Sequence, residues 1–389
     1  MELIKDDKFI NGPVNIIRLE GSIDGVDKIL YLFSDFHVLE TECSDIENID
    51  VDKFILKMFK KCKKERPNVV YDFFVEEHFG SLEKDKKDYM NGFTAKYEYL
   101  SSVRKLFQLL SRKKYIQSGK VNIRTQYTDF RNVIGQGHQS PMSLINNNAS
   151  NVTLSYVSYA TITNITNALR QLIVEIQFAK TLLTFDNKLA KKNGYNEEKD
   201  TFNNVVRKIR DIYVNKNVKK IITQLIGKIP VLCDIILDKC NVLIIKLKDL
   251  QTFIGNNNER FRDPYTSNFL KKTSNIRIKI NELGLDHLNL YAYLVDLYML
   301  RRLLDKSYVK NSIYYCGAYH SVQLTLILVK YFGFKITHLA KHDTPIDIIY
   351  NYIVNDKKLD VIDKFIGLMD MLNTTHQCSN MKGFPNYFM

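Results

Sequence analysis

The chain has 389 residues, 45% hydrophobic and 25% charged, enough for one large domain or two ordinary ones with a substantial core. Its net charge of +13 admits acidic partners, nucleic acid among them. The six cysteines lack a C-x-x-C pair or framework spacing, the N-terminus lacks an apolar signal core, and no apolar run nears the ~20 residues of a membrane span, which argues against zinc fingers, disulfide scaffolds, secretion and membrane spanning.

Residues 14–19 and 28–33 read as strands, the second breaking off into Ser34, Asp35, Phe36 and His37. Residues 51–64 form an amphipathic helix with Val51, Phe54, Ile55, Met58, Phe59 and Cys62 on one face. A third strand over 68–75 ends on the acidic pair Glu76 and Glu77. A helix over 97–113 leads to a fourth strand, 120–127, ending at Asp129 and Arg131. Strands alternating with helices predict a largely parallel sheet.

The middle differs. Residues 132–151 read as a polar loop containing Pro141, followed by helices over 155–190, 198–217, 219–228 and 230–252. Another helix starts near Asp263-Pro264, and Asp296, Tyr298, Arg301 and Arg302 lie on the amphipathic pattern of 294–304. The alternating pattern then resumes with a strand ending at Cys316, a helix over 321–331, a strand over 334–338 and two more helices. The expected fold is α/β: a core built from both chain ends, 1–135 and 291–374, with an all-helical insertion or cap over 136–290 and a peripheral tail over 375–389.

Two distant segments share one build: a hydrophobic run, a small residue, two more residues and a histidine. They end at His37 and His320. Open α/β sheets place ligands at the C-terminal ends of their strands, so these histidines are expected to converge. Asp35 projects on the side of His37 if the chain stays extended, forming a metal site or an oriented base. One of Glu76 and Glu77 must face the crevice, as a metal ligand or general base. Asp129 and Arg131 form an ion pair shaping the crevice, or Arg131 binds an anionic substrate group. Gly317 permits a tight turn. His320 then lies near a helix start, where the dipole favours neutral imidazole, and Ser321 is a candidate cap. Each residue also has a structural reading: a turn cap, a solvated acid or an ordinary ion pair. The cysteines read as mostly reduced. The basic runs 57–66, 84–87 and 112–114 are explained by solvated lysine faces in an AT-rich coding genome as well as by DNA binding.

Taken together, Asp35-Phe36-His37, Phe74-Val75-Glu76, Asp129-Phe130-Arg131 and Gly317-Ala318-Tyr319-His320 resemble the TraB/Tiki superfamily, which includes the erythromycin-esterase and ChaN-like proteins. Uncharacterised proteins of giant nucleocytoplasmic DNA viruses carry a similar arrangement. The resemblance implies a hydrolase of peptidase or esterase type, with His37, Glu76 or Glu77 and His320 lining the site and Asp35, Asp129, Arg131 and Gly317 supporting it. A divalent metal (Mn, Co or Zn) would be held by His37, His320 and Glu76. Ser34 departs from the family's first glycine, which favours an alternative: an inert structural or host-interaction protein on the same fold. A basic nucleic-acid-binding protein is a second alternative. Expected partners are a peptide or ester substrate or an acidic molecule, in an intracellular, soluble setting, the host cytoplasm or virion.

Overall fold

The computed structural model describes residues 9–36, 43, 48–78, 99–112, 119, 121–129, 140–152, 157–184, 201–256, 267–341, 344–355, 366–372, 377–385 and 388. Its first strand, β1 (Phe9–Asn11), is short. After it Asp24 and Gly25 both take positive φ, 47° and 77°, the combination a type I′ turn requires. They close an antiparallel hairpin of β2 (Asn15–Ile23) and β3 (Val26–Asp35), whose strands extend beyond those expected. The Asp-Gly pair is a readable hairpin signal, and it makes this corner of the sheet antiparallel.

β4 (Asn48–Asp50) leads into α1 (Val51–Glu65), whose apolar face is the expected one. β5 (Tyr71–His78) continues through the acidic pair instead of stopping before it. After α2 (Tyr99–Leu110) comes β6 (Ile123–Asp129). The expected loop over 132–151 contains α3 (Pro141–Ala149), where Ser140 accepts a hydrogen bond from the Ser143 N–H and Pro141 opens the helix. The helices α4 (Tyr159–Leu183), α5 (Thr201–Arg210), α6 (Lys216–Ile226) and α7 (Ile229–Asn256) follow, then α8 (Ser267–Asp305). β7 (Asn311–Gly317), α9 (Ala318–Phe332), β8 (Lys335–Leu339), α10 (Ile346–Asn355), α11 (Ile366–Leu372) and β9 (Cys378–Asn380) complete the described elements.

The main sheet has the order β6-β5-β7-β3-β2-β8. β6, β5, β7 and β3 are mutually parallel, and β2 runs antiparallel to both of its neighbours. A second, small sheet has the order β4-β1-β9. The chain divides into two units: residues 1–129 with 296–389, holding the sheets, and residues 130–295, helical where described. In the helical unit α7 buries Cys233, Ile236, Cys240, Leu243, Leu247, Leu250 and Ile254. These alternate by three and four residues, which places them on one stripe.

The sheet unit has two unlike layers, because alternate residues of a strand face opposite ways. Tyr31, Phe33, Tyr71, Phe73, Val75, Ile313 and Tyr315 pack against the buried faces of α1 and α2. The rings of Phe59 and Phe107 meet Phe73 edge-on at 5.5 and 5.6 Å, an arrangement that suits the aromatic quadrupole. Phe388 plugs this layer, with its ring 5.3 Å from Tyr31 and 5.9 Å from both Phe54 and Phe59. The tail expected to be peripheral is therefore part of the core, since burying Phe388 removes a large apolar surface from water.

The cysteines are mostly reduced, as expected, apart from one bridge. Cys43 and Cys378 form a disulfide across 335 positions, while Cys62, Cys233, Cys240 and Cys316 are free and buried. No sequence spacing announces this bridge, because β1 pairs with both β4 and β9 and so brings distant segments together.

Candidate functional site

The second layer is polar. Asp72, Phe74 and Glu76 of β5 alternate with the aromatic-layer residues, as do Ser312, Tyr314 and Cys316 of β7. Asp72 is fully buried and bound bidentately by Arg124, at 2.8 and 2.6 Å. Thr128 donates to the Val75 carbonyl at 2.9 Å and meets the Tyr314 hydroxyl at 3.1 Å. The end of α8 contributes Arg302, which bonds to Gln126 and, at 3.1 Å, to Tyr298. At the opposite end of β3, buried Lys28 donates to the carbonyls of Leu303, Lys306 and Val309 at 2.6–2.9 Å, capping the end of α8. Burial pulls its ammonium down to about 8, against the opposing pull of Asp72 and Asp305.

At the C-terminal ends of β5 and β7, three ionisable groups meet. His320 stands in the first turn of α9, and its Nδ1 lies 2.7 Å from Asp296 Oδ1. Its Nε2 faces Glu76 Oε1 at 3.7 Å, an ion-pair distance but too long for a hydrogen bond. The Gly317 N–H donates to Glu76 Oε2 at 2.9 Å. Glu76 thus supplies the negative charge favoured at the start of α9, whose N-cap residue is Gly317. Arg104 of α2 holds the Glu76 carbonyl through two donors, at 3.0 and 2.7 Å. Glu76 and His320 are each 4% exposed and Asp296 is 0% exposed.

The charge state of His320 departs from the expected neutral imidazole. Burial acts to lower its pKa, but the Asp296 and Glu76 carboxylates outweigh burial and raise it to about 10. His320 is therefore an imidazolium at neutral pH, held between two carboxylates. Beside it, burial pushes the Cys316 thiol well above its usual pKa, so it stays protonated. Ser321, expected as a helix cap, lies inside α9 with its hydroxyl 3.3 Å from the Cys316 sulfur. Gly317 holds the N-cap place instead, because the helix begins three residues earlier than expected.

Of the expected site residues, Glu76, Gly317 and His320 come together. Asp35 and Asp129 do not join them. Strand alternation puts Asp35 with Phe33, on the aromatic layer, where it accepts a hydrogen bond from Gln377 at 3.1 Å. Burial, and then the Asp35 carboxylate, hold the Tyr315 phenol well above its usual pKa. Asp129 is fully buried and, by the same alternation, on the side of Tyr127, whose ring meets Phe107 at 4.8 Å. His37 and Arg131 lie outside the described residues, and of Glu77 only the backbone, within β5, is described. Asp296 joins Glu76, Gly317 and His320 from the amphipathic pattern of 294–304, whose charges read from sequence as fixing the packing of that helix. The available signal was a lone carboxylate in the apolar run Leu294, Val295, Leu297.

The metal expectation needs a third donor. Nε2 and Oε1, 3.7 Å apart, could both reach one ion through bonds of ~2 Å. Among the described residues, no group of three or more His, Cys, Asp or Glu side chains is arranged to hold a metal.

A family model, Family of unknown function (DUF5847), matches residues 8–389. The chain belongs to this family. Its relatives include uncharacterised protein R706 of Acanthamoeba polyphaga mimivirus, 29% identical over 98% of this chain and 97% of the relative. Uncharacterised protein R160 of the same virus is 28% identical over 100% of this chain and 99% of its own length. The relationship to giant-virus proteins therefore covers the whole fold, helical unit included. No solved structure matches. Among the described residues no helix is long and apolar enough to cross a membrane.

Proposed function

We propose that the protein is a hydrolase of peptidase or esterase type whose working groups are Glu76 and His320, with Asp296 orienting the histidine. The observation behind this reading is the buried Asp296–His320–Glu76 chain at the strand ends. Helices α2 and α9, which follow β5 and β7, lie on opposite layers, making this a topological switch point, where α/β sheets bind ligands. Burying three ionisable groups costs several kcal/mol per ion before pairing recovers it, and apolar side chains would serve stability as well. In the proposed reaction Glu76 Oε1 accepts a proton from water, and the His320 Nε2–H protonates the leaving group. The Gly317 N–H fixes the other Glu76 oxygen. The likeness of the strand-end motifs to the TraB/Tiki superfamily supports the same assignment of Glu76, Gly317 and His320.

A panel of activated esters and peptides, with and without added Mn, Co or Zn, tests the reading. Glu76→Gln and His320→Gln should each lower turnover by about 10²–10⁴-fold. Turnover unchanged in both folded variants would sink it.

One observation favours a second reading, the inert structural or host-interaction protein. Both ring nitrogens of His320 already face internal carboxylates. On that reading, no substrate in the panel turns over, and replacing the three groups together by apolar residues leaves stability and partner binding intact.

A further inference from the structure

Positive charge is divided unevenly along the chain. Residues 130–295 carry 23 Lys and Arg against 13 Asp and Glu, while the remaining residues carry 33 against 30, so the helical unit holds +10 of the net +13. A lysine-rich coding bias does not explain this. Cationic residues occur at about one position in seven in both parts, whereas acidic residues fall from about one in seven to about one in thirteen in the helical unit. Compensating acids are what that unit lacks. The densest basic runs, 57–66, 84–87 and 112–114, all lie in the sheet unit, whose carboxylates offset them.

Some cations of the helical unit are neutralised locally, as in Lys180–Asp234, Arg210–Asp211, Lys239–Asp286 and Lys279–Glu282. Others are not. Lys246 of α7 with Lys271 and Lys272 of α8 line a groove of about 290 Å³ that holds a single carboxylate, Asp249, and none of the three lysines is ion-paired with a described residue. The Lys272 ammonium lies 5.8 Å from the Phe253 ring centroid, a cation–π contact that restrains it. A second groove, of about 760 Å³, runs along another stripe of α8. Its lining includes Arg277, Asn281 and His287, with Ser143 and Asn146 of α3, and no carboxylate.

We propose that the helical unit binds nucleic acid through its phosphodiester backbone, with Lys246, Lys271 and Lys272 as phosphate contacts. Unpaired ammonium groups gain by releasing the counterions of a polyanion, and this attraction carries no sequence information. The lysines line a recess between α7 and α8, which a phosphodiester strand can enter and a flat lipid surface cannot. This function is independent of the Glu76–His320 site.

The test is fluorescence anisotropy of the full chain with a labelled single strand of about 20 nucleotides, titrated at several salt concentrations. Binding should weaken steeply with salt. The combined variant Lys246→Glu/Lys271→Glu/Lys272→Glu should lose at least about tenfold in affinity and flatten the salt dependence. The matched reversal Lys60→Glu/Lys64→Glu/Lys105→Glu, in the sheet unit, should change affinity less than about twofold. If circular dichroism shows the first variant misfolded, the corresponding triple Gln variant is read in its place. Equal losses in both variants, no oligonucleotide binding, or binding only to vesicles containing phosphatidylserine would overturn the proposal.

Discussion

The two layers on the main sheet are built from the same strands and obey opposite rules. Toward α1 and α2 the sheet presents Tyr31, Phe33, Phe73 and Tyr315, and rings at 5–6 Å fill the space between them. Toward α9 and the end of α8 it presents Asp72, Ser312, Glu76 and Cys316, and buried charges meet partners one by one. The aromatic layer tolerates error, because hydrophobic attraction is non-directional and scales with area. The polar layer does not, because each buried charge needs its own partner at a set distance. Stability is thus spread widely in one layer and concentrated in a few contacts in the other.

That contrast is most exposed by removing one group from each layer. Phe388→Ala and Asp296→Ala should each destabilise by about 3–5 kcal/mol in chemical denaturation, the first by leaving a cavity, the second by leaving the buried His320 Nδ1–H without its acceptor. Their rescues should differ. Phe388→Leu should recover most of the loss, since any apolar side chain of similar volume partly refills the space. Asp296→Leu should not recover unless Glu76 and His320 are replaced too, because only then does the unsatisfied imidazolium N–H disappear. Full rescue by Asp296→Leu alone would show that the polar layer is packed like its neighbour.

A smaller effect is set by pH. His320 binds its proton more tightly folded than unfolded, since its pKa is raised from 6.5 to about 10. Its contribution to stability is complete below pH 6.5 and is lost as pH rises through about 10. Lys28, lowered from 10.5 to about 8, acts in the opposite sense above pH 8. Between pH 6.5 and 8 wild-type stability should therefore fall with pH, and His320→Leu should flatten that slope. A slope identical in wild type and variant would place the neutral form of His320 in the native state.

The smallest expected change is Tyr314→Phe. It removes one hydroxyl at 3.1 Å from Thr128 and should cost about 0.5–1.5 kcal/mol by thermal or chemical denaturation. The aromatic packing against Phe74, at 6.3 Å, remains.

Much of the fold is legible from residue pattern. The apolar face of α1, the strand leading to Gly317, the parallel sheet and the long helical middle all follow from periodicity, which local sterics impose on each segment. The Asp24-Gly25 hairpin and the Ser140-Pro141 helix start carried equally local signals. Glu76, Gly317 and His320 could be singled out because a strand end is recognisable from sequence alone. What the chain could not announce are relations between distant segments. Strand parity sends Asp35 and Asp129 to the aromatic layer while Glu76 faces α9, yet the register that fixes parity depends on sheet pairing. Asp296 reads as a packing charge until the end of α8 lies against His320. Cys43 finds Cys378, and Phe388 its aromatic neighbours, only after segments more than 300 residues apart meet. Local patterning determines which elements form and which face of each is apolar. Tertiary structure decides which buried charges share a site, because an ion's energy depends on neighbours within a few ångströms, and those neighbours come from anywhere in the chain.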